Sequence, residues 1–335
     1  MTYTVGGTIQ AADYNGFVSS NAANINGVWS TGSGDSGWGQ TAINTVSAGN
    51  TVTATQWATL VNNLASMGSQ TNTTLTSRTA PVAGNTIAIL ANVSTDITNC
   101  TTNRGNAAAV GTEYGTFSGT TSKTTATGSG QTAWTITFTH TVTFASADAA
   151  RYFWNAGGLV RLQYGKSSTG TDHDADWNTL AGQCGSIYIS GRVNSTTQTI
   201  AGVAYTGTTR IGGTGGTQTT LTTTTGWYNL TAGGAATTIF QLNNATSPYT
   251  PEYIRTTAAV NAGSTVLTLV TTWVDDGSSG AGTTSNISGG TGVSSPATSI
   301  GVATAPTTLC TYIPPSTTYL TTASWGTPTI AASVA

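Results

Sequence analysis

The sequence predicts an α+β, mainly β protein: a small N-terminal helical module, then an antiparallel β-sandwich of jelly-roll type, then an extended C-terminal arm. Three observations carry this expectation. Residues 1 to 105 place apolar side chains at helical spacing. From residue 111 onward the apolar period falls to two, the period of a strand. From Ser294 the chain carries Pro296, Pro306, Pro314, Pro315 and Pro328 among scattered apolar residues, which suits an arm draped over a neighbouring molecule. The expected units are therefore 1–105, 111–293 and 294–335.

The helical module rests on an internal repeat with an offset of 43 residues. TIQAADYNGFVSSNAANI (8–25) lies over TVTATQWATLVNNLASMG (51–68), pairing Tyr14 with Trp57, Phe17 with Leu60 and Val18 with Val61. Tyr14, Phe17, Val18, Asn21 and Ile25 follow one helical face, and Trp57, Leu60, Val61, Leu64 and Met67 do so more cleanly. Thr53 and Gln10 stand at the starts, and Thr is the better cap. A third stretch, 85–100, puts Ile87, Leu90, Val93, Ile97 and Cys100 on one face. Between the copies, STGSGDSGWGQT (30–41) reads as a connector, because its glycine spacing excludes regular structure. A module this small buries little apolar surface, so it is expected to act as an anchor that docks elsewhere. On that view a chain lacking residues 1–80 stays soluble.

In the β region, TAWTITFTHTVTF (132–144) alternates without a break. Trp134, Ile136, Phe138, His140, Val142 and Phe144 face one way and threonines the other, as in a half-buried antiparallel strand. GSTVLTLVTTWVDDG (263–277) repeats the pattern, and 158–164, 184–191 and 237–242 are shorter strands between Gly, Asn and Ser turns. In ARYFWNAGGLVRLQYG (149–164), Asp148 and Arg151 form a local pair, and Tyr152, Phe153 and Trp154 plug one end of the sandwich. Arg161, a charge on a strand of an uncharged protein, needs a partner and is expected to find it on another subunit.

Charged residues make up 6% of the chain, against roughly 25% in an ordinary globular protein. With a net charge of −2, partners held by charge, nucleic acid and anionic membranes among them, are excluded. No stretch approaches the ~18 apolar residues of a membrane span, and the first residues lack a basic, apolar leader, so synthesis in a bacterial cytoplasm is expected. Nine Trp and 12 Tyr separate the chain from disordered sequences of similar polarity. So few surface charges imply that much of the surface is covered by other copies of the chain or by other proteins.

The chemistry-bearing residues do not assemble into a catalytic pattern. Glu113 and Glu252 are the only glutamates, and nothing in the sequence pairs them as a glycosidase would need. TDHDADW (171–177) lacks the glycine and glutamate of a calcium loop and reads as a solvated loop. His140 reads as a core or interface histidine, and Cys100, Cys184 and Cys310 as buried thiols. The expectation is no enzyme, no catalytic residue, no metal and no cofactor. The contact candidates are Trp38, Trp227, Tyr228, Tyr249 and Tyr253, whose turn-rich surroundings suggest exposed rings for assembly or for host surface glycans, together with Arg161.

Three stretches are similar to a family of tailed-phage virion structural proteins, best represented among cyanophages. They are FTHTVTFASADAARYFWNAGGLVRLQYG (138–165), DADWNTLAGQCGSIYISG (174–191), and SPYTPEYIRTTAAV with TVLTLVTTWVDD (247–276). GSGDSGWGQ and GNTVTATQWATLVNNL resemble the leading module of such proteins. The resemblance implies a virion location and a structural role, tail or tail-fibre associated, with other copies of itself and other virion proteins as partners. A carbohydrate-binding receptor adhesin and a capsid decoration protein are the alternatives.

Overall fold

The computed structural model describes residues 10–84, 92–120, 134–167, 172–191, 197–245, 250–275 and 306–335. In the N-terminal region these form α1 (Ala11–Asn15), a π-helical turn (Gly16–Ser20), α2 (Ile25–Trp29), α3 (Ala54–Gln70) and α4 (Val93–Thr102). Tyr14, Phe17, Val18 and Ile25 are buried, as are Trp57, Leu60, Val61, Leu64 and Met67. The two copies of the repeat meet each other: the Tyr14 and Trp57 rings, equivalent in sequence, touch edge to face at 5.2 Å.

Thr53 starts α3 with a reciprocal box, its Oγ1 accepting from Gln56 N–H (3.3 Å) while its own N–H donates to Gln56 Oε1 (2.8 Å). At the first copy the Gln10 N–H donates to the Asp13 carboxylate (3.1 Å). Of the third helical stretch, Val93, Ile97 and Cys100 are buried on α4, and residues 85–91, with Ile87 and Leu90, lie outside the described residues.

The next elements are β1 (Tyr114–Thr120), β2 (Trp134–Thr143), α5 (Ala147–Asn155), β3 (Leu159–Gly165), α6 (Asp172–Cys184), β4 (Ser186–Ile189), β5 (Gln198–Ile200) and β6 (Val203–Tyr205). They are followed by β7 (Thr208–Ile211), β8 (Thr217–Leu221), β9 (Thr237–Asn243), β10 (Tyr253–Val260), β11 (Val266–Asp275), β12 (Thr307–Ile313) and β13 (Thr329–Val334). A five-stranded sheet has the order β1-β12-β3-β4-β7 and a six-stranded sheet the order β13-β2-β11-β10-β9-β8. β5 and β6 make a separate hairpin, and the pairings within all three sheets are antiparallel.

The alternation read from the sequence sets the faces. Ile136, Phe138, His140 and Val142 of β2 are buried, and so are Leu267, Leu269 and Trp273 of β11 and Val160, Leu162 and Tyr164 of β3. The buried faces of the two large sheets meet. Tyr164 on one stacks on Phe240 of the other at 6.0 Å, and its hydroxyl lies 2.8 Å from Thr256 Oγ1. Trp273 Nε1–H donates to Thr308 Oγ1 across the same gap (3.2 Å). Threonines are therefore inside as well as outside: Thr256, Thr271 and Thr308 are fully buried, and their hydroxyls bond one another or a ring partner, which removes the cost of desolvating them.

Three expectations are corrected here. The segment from 306 onward is no extended arm, because β12 lies between β1 and β3 in mid-sheet and β13 extends the other sheet beside β2. The TDHDADW cluster is no loop. It opens α6, where Trp177, Leu180, Ala181 and Cys184 form a buried stripe at helical spacing, although the side chains of 172–174 lie outside the described residues. Nor is the helical region a separate globule: one apolar cluster runs from Tyr14, Trp29 and Trp57 to Phe138, Phe240 and Trp273.

Candidate functional site

Three of the residues singled out by sequence, Trp38, Trp227 and Tyr228, converge on the seam between the connector 30–41 and α5. Local chemistry forms α5: Ser146 Oγ accepts from Ala149 N–H (3.0 Å) at its start, and Asp148 pairs with Arg151 at 3.0 Å, as the sequence predicts. The helix ends in NAGG, where Gly157 takes φ = 104° and a side chain would sit 2.5 Å from the Ala107 methyl. Phe153 and Trp154 are driven fully inside, and Asn155 goes with them.

Opposite α5, the connector is irregular but not loose. Gly37 adopts φ = 96°, and a Cβ there would lie 2.1 Å from the Thr31 carbonyl oxygen, so only glycine permits the chain to fold back on itself. The turn aims backbone carbonyls at α5. Arg151 donates to Thr31 O (2.6 Å) and Ser36 O (2.7 Å), and Asn155 Nδ2 donates to Gly37 O (3.1 Å) and Gly34 O (3.3 Å). In return Trp38 Nε1–H donates to Asn155 O at 3.1 Å. Arg104, at the end of the helical region, holds Asp35 at 2.8 Å.

Trp38, Trp227 and Tyr228 all belong to this seam. Trp38 is buried against Trp29, their rings 6.4 Å apart. Trp227 is buried too, stacked on Trp154 at 5.5 Å with Phe144 at its edge. The Tyr228 hydroxyl donates to Asn155 Oδ1 and lies 3.2 Å from Gly34 O. Burial pushes its pKa well above the ordinary tyrosine value, Arg151 pulls it back, Asp35 pushes it up again, and the bond to Asn155 lowers it. The reading of Trp38 and Trp227 as exposed rings for sugars is thus corrected: their faces are spent on other tryptophans inside the protein.

Among the described contacts, neither Arg161 nor Tyr253 joins this cluster. Arg161 finds a partner within its own chain, Glu113 at 2.7 Å, so its charge does not require one from another subunit. Glu113 also accepts from the Thr311 hydroxyl, so it is held in a structural bridge beside β1. Glu252 is buried at the start of β10, in the other sheet. Tyr253 is half-buried, with the Arg255 guanidinium 5.3 Å from its ring centre. Tyr249 lies outside the described residues.

Sequence reasoning missed the amides. Asn155 makes the central bonds of the seam, and Gln40 does the same for the C-terminal segment: its Oε1 accepts from Thr321 N–H (2.8 Å) and Thr322 N–H (3.0 Å), while its Nε2 donates to Thr322 O (2.9 Å). Asn15 embraces both backbone groups of Val46 at 2.8 Å, and Asn26 both of Ile43 at 2.9 Å. The signal available was the scarcity of charge itself, since buried extended backbone still needs partners and a neutral chain has to supply them as amides. Chemically, the seam is a latch of neutral donors and carbonyls around two paired arginines, Arg151 and Arg104. Among the described residues, no three His, Cys, Asp or Glu side chains gather where they could hold a metal. No protein-family model matches this chain, and comparisons with curated proteins and with solved structures return no match.

Proposed function

We propose that this chain is a structural, non-enzymatic component of a tailed-phage particle, tail or tail-fibre associated, which works by assembling with copies of itself and with other virion proteins. The observation that carries this reading is where the polar chemistry goes. Arg78, Arg104, Arg151 and Arg161 are each tied to a carboxylate of the same chain, and Trp38 and Trp227 are turned inward. What remains outside is rich in hydroxyls and poor in charge, a surface that gains from being covered many times over in a symmetric assembly.

The two sheets read as a β-sandwich with a jelly-roll-like frame. In support, the late strand β12 inserts between the early strands β1 and β3, and β11 lies beside β2, as when a long hairpin wraps on itself. The β9-β10-β11 meander, which stays in one sheet, departs from that pattern.

The test is location. Purified particles from cells producing the tagged chain are imaged, and its copy number is measured by quantitative peptide mass spectrometry. Symmetric multiple copies at the tail are expected. Absence from purified particles overturns the reading, and a position on the capsid surface replaces it with capsid decoration.

A further inference from the structure

One exposed aromatic residue that the sequence reading passed over stands at a built groove. Tyr114, the first residue of β1, is 51% exposed. It is cross-strand partner to Tyr312 of β12, and the two rings stack at 5.8 Å and 28°, which fixes the plane of the outer ring. The groove beside it runs between residues 110–114 and the stretch 312–327 and encloses about 670 Å³, inside the ~300–1,000 Å³ usual for small-molecule sites.

Its walls are held in place. Gly111 N–H donates to Pro314 O (2.8 Å), Val110 bridges to Pro315, and Trp325 is buried at 3% exposure in the lining. Among the described residues of the lining none is charged, because Glu113, between Thr112 and Tyr114, turns away to Arg161. Thr112, Thr317 and Thr327 are exposed around the rim.

We propose that this groove binds a neutral saccharide, with Tyr114 as the platform for the apolar face of one sugar ring and the threonine hydroxyls as partners for its hydroxyls. Each feature selects this class. A single fixed aromatic plane suits one pyranose face, since an amphipathic ring with an apolar body and polar tip matches a sugar on both counts. A hydroxyl rim suits a ligand made of hydroxyls. Among the described lining residues no cation offers an acidic glycan a partner, and a proline-rich peptide would need a row of exposed rings, whereas Tyr312 is buried beneath Tyr114 and Trp325 is buried too. This site is separate from the buried Trp38 and Trp227 and does not depend on the virion reading.

The experiment uses the full chain, titrated by calorimetry with neutral gluco-, galacto- and manno-hexasaccharides, with a sialylated oligosaccharide and a proline-rich decapeptide as competing classes. At least one neutral hexasaccharide is expected to bind with a Kd on the order of 1 mM or tighter, a modest affinity for one shallow site. Binding should be indifferent to added salt, fall by about tenfold or more in Tyr114→Ala, and survive in Tyr114→Phe, which keeps the ring. Thr327→Arg, at an exposed rim position, blocks the groove independently if Tyr114→Ala proves unstable. Failure of every neutral saccharide to bind overturns the proposal. So does binding that persists in both Tyr114→Ala and Thr327→Arg, or a preference for the sialylated or peptide ligand.

Discussion

The two copies of the internal repeat share their apolar spacing and differ in everything else. The second, on α3, is one helix of 17 residues, started by a reciprocal Thr53–Gln56 box. The first breaks into a five-residue helix, a π-helical turn and, after Asn21 goes extended, a second short helix. At the matching positions the first copy has Gly16 for Thr59 and Asn21 for Leu64, so its stripe loses one apolar contact just where the helix ends. It compensates with side-chain amides, Asn15 on Val46 and Asn26 on Ile43, each replacing a missing backbone partner. Apolar period therefore decides which face is buried, while caps and propensity decide how long the helix runs.

The widest test removes both copies. Deleting residues 1–80 takes away Trp38 and the connector that covers Asn155, and opens a core shared with the sheets. The truncated chain is expected to be insoluble or to lose its near-ultraviolet circular dichroism, which reverses the outcome expected from sequence. A soluble, ordered 81–335 fragment would falsify the shared core. Next in size, Trp57→Ala empties the place where Tyr14 and Phe17 meet the second copy. A loss of about 3–5 kcal/mol in urea unfolding is expected, typical of a fully buried large-to-small change.

Asn26→Ala leaves the Ile43 N–H and C=O without their amide partner and should cost about 2 kcal/mol. Asn26→Asp sharpens the point. The carboxylate still accepts from Ile43 N–H but turns negative charge toward Ile43 O, so part of its loss should return below about pH 4, where the protonated acid can donate again. An unchanged deficit between pH 7 and pH 3 would show that the amide is not acting as a two-way clamp.

Alkaline pH separates the copies again, because Tyr14 ionises and its counterpart Trp57 does not. Burial pushes Tyr14 up to about 12. Burial, and then the neighbouring Asp96, push Cys100 up to about 11 against a bond from Thr71, and burial pushes Cys310 to about 12. These groups keep their protons longer when folded, so their contribution is intact below the ordinary thiol and phenol values, about 8.5 and 10, and declines as pH rises toward the folded values. Melting temperature should be flat from pH 6 to about 8 and then fall, with Tyr14→Phe making the fall between about 10 and 12 shallower by the share that Tyr14 contributes. The smallest effect is Thr53→Ala, about 1 kcal/mol from one cap. The equivalent Gln10→Ala should be nearly silent, since there the bond runs from the backbone of residue 10 to Asp13.

How much of this was legible follows the same division. Strands β2, β3 and β11 and helix α3 were readable because their periods are clean. α6 was misread because four polar residues at its start drew attention from Trp177, Leu180, Ala181 and Cys184, whose spacing marks a helix. β12 was misread because prolines flank it and because buried threonines look like surface. Its Thr308 is satisfied by Trp273, a partner 35 residues away that no local pattern reveals. The aromatic candidates failed for a related reason: turn residues around Trp38 and Trp227 indicate irregular backbone, and irregular backbone can be buried when arginine and asparagine take up its carbonyls.

The place of β12 also governs how the protein comes into being. Tyr114 pairs with Tyr312 and Arg161 with Thr311, so β1 and β3 have no common neighbour until the chain has been made as far as Ile313. Thr321 and Thr322 then close onto Gln40, near the opposite end of the sequence. A nascent chain on the ribosome can build α3 early, but its larger sheets must wait with uncovered edges, and closing such long loops is slow. Both larger sheets thus depend on strands made well after their neighbours, and the waiting edges are exposed meanwhile to mispairing between neighbouring nascent copies.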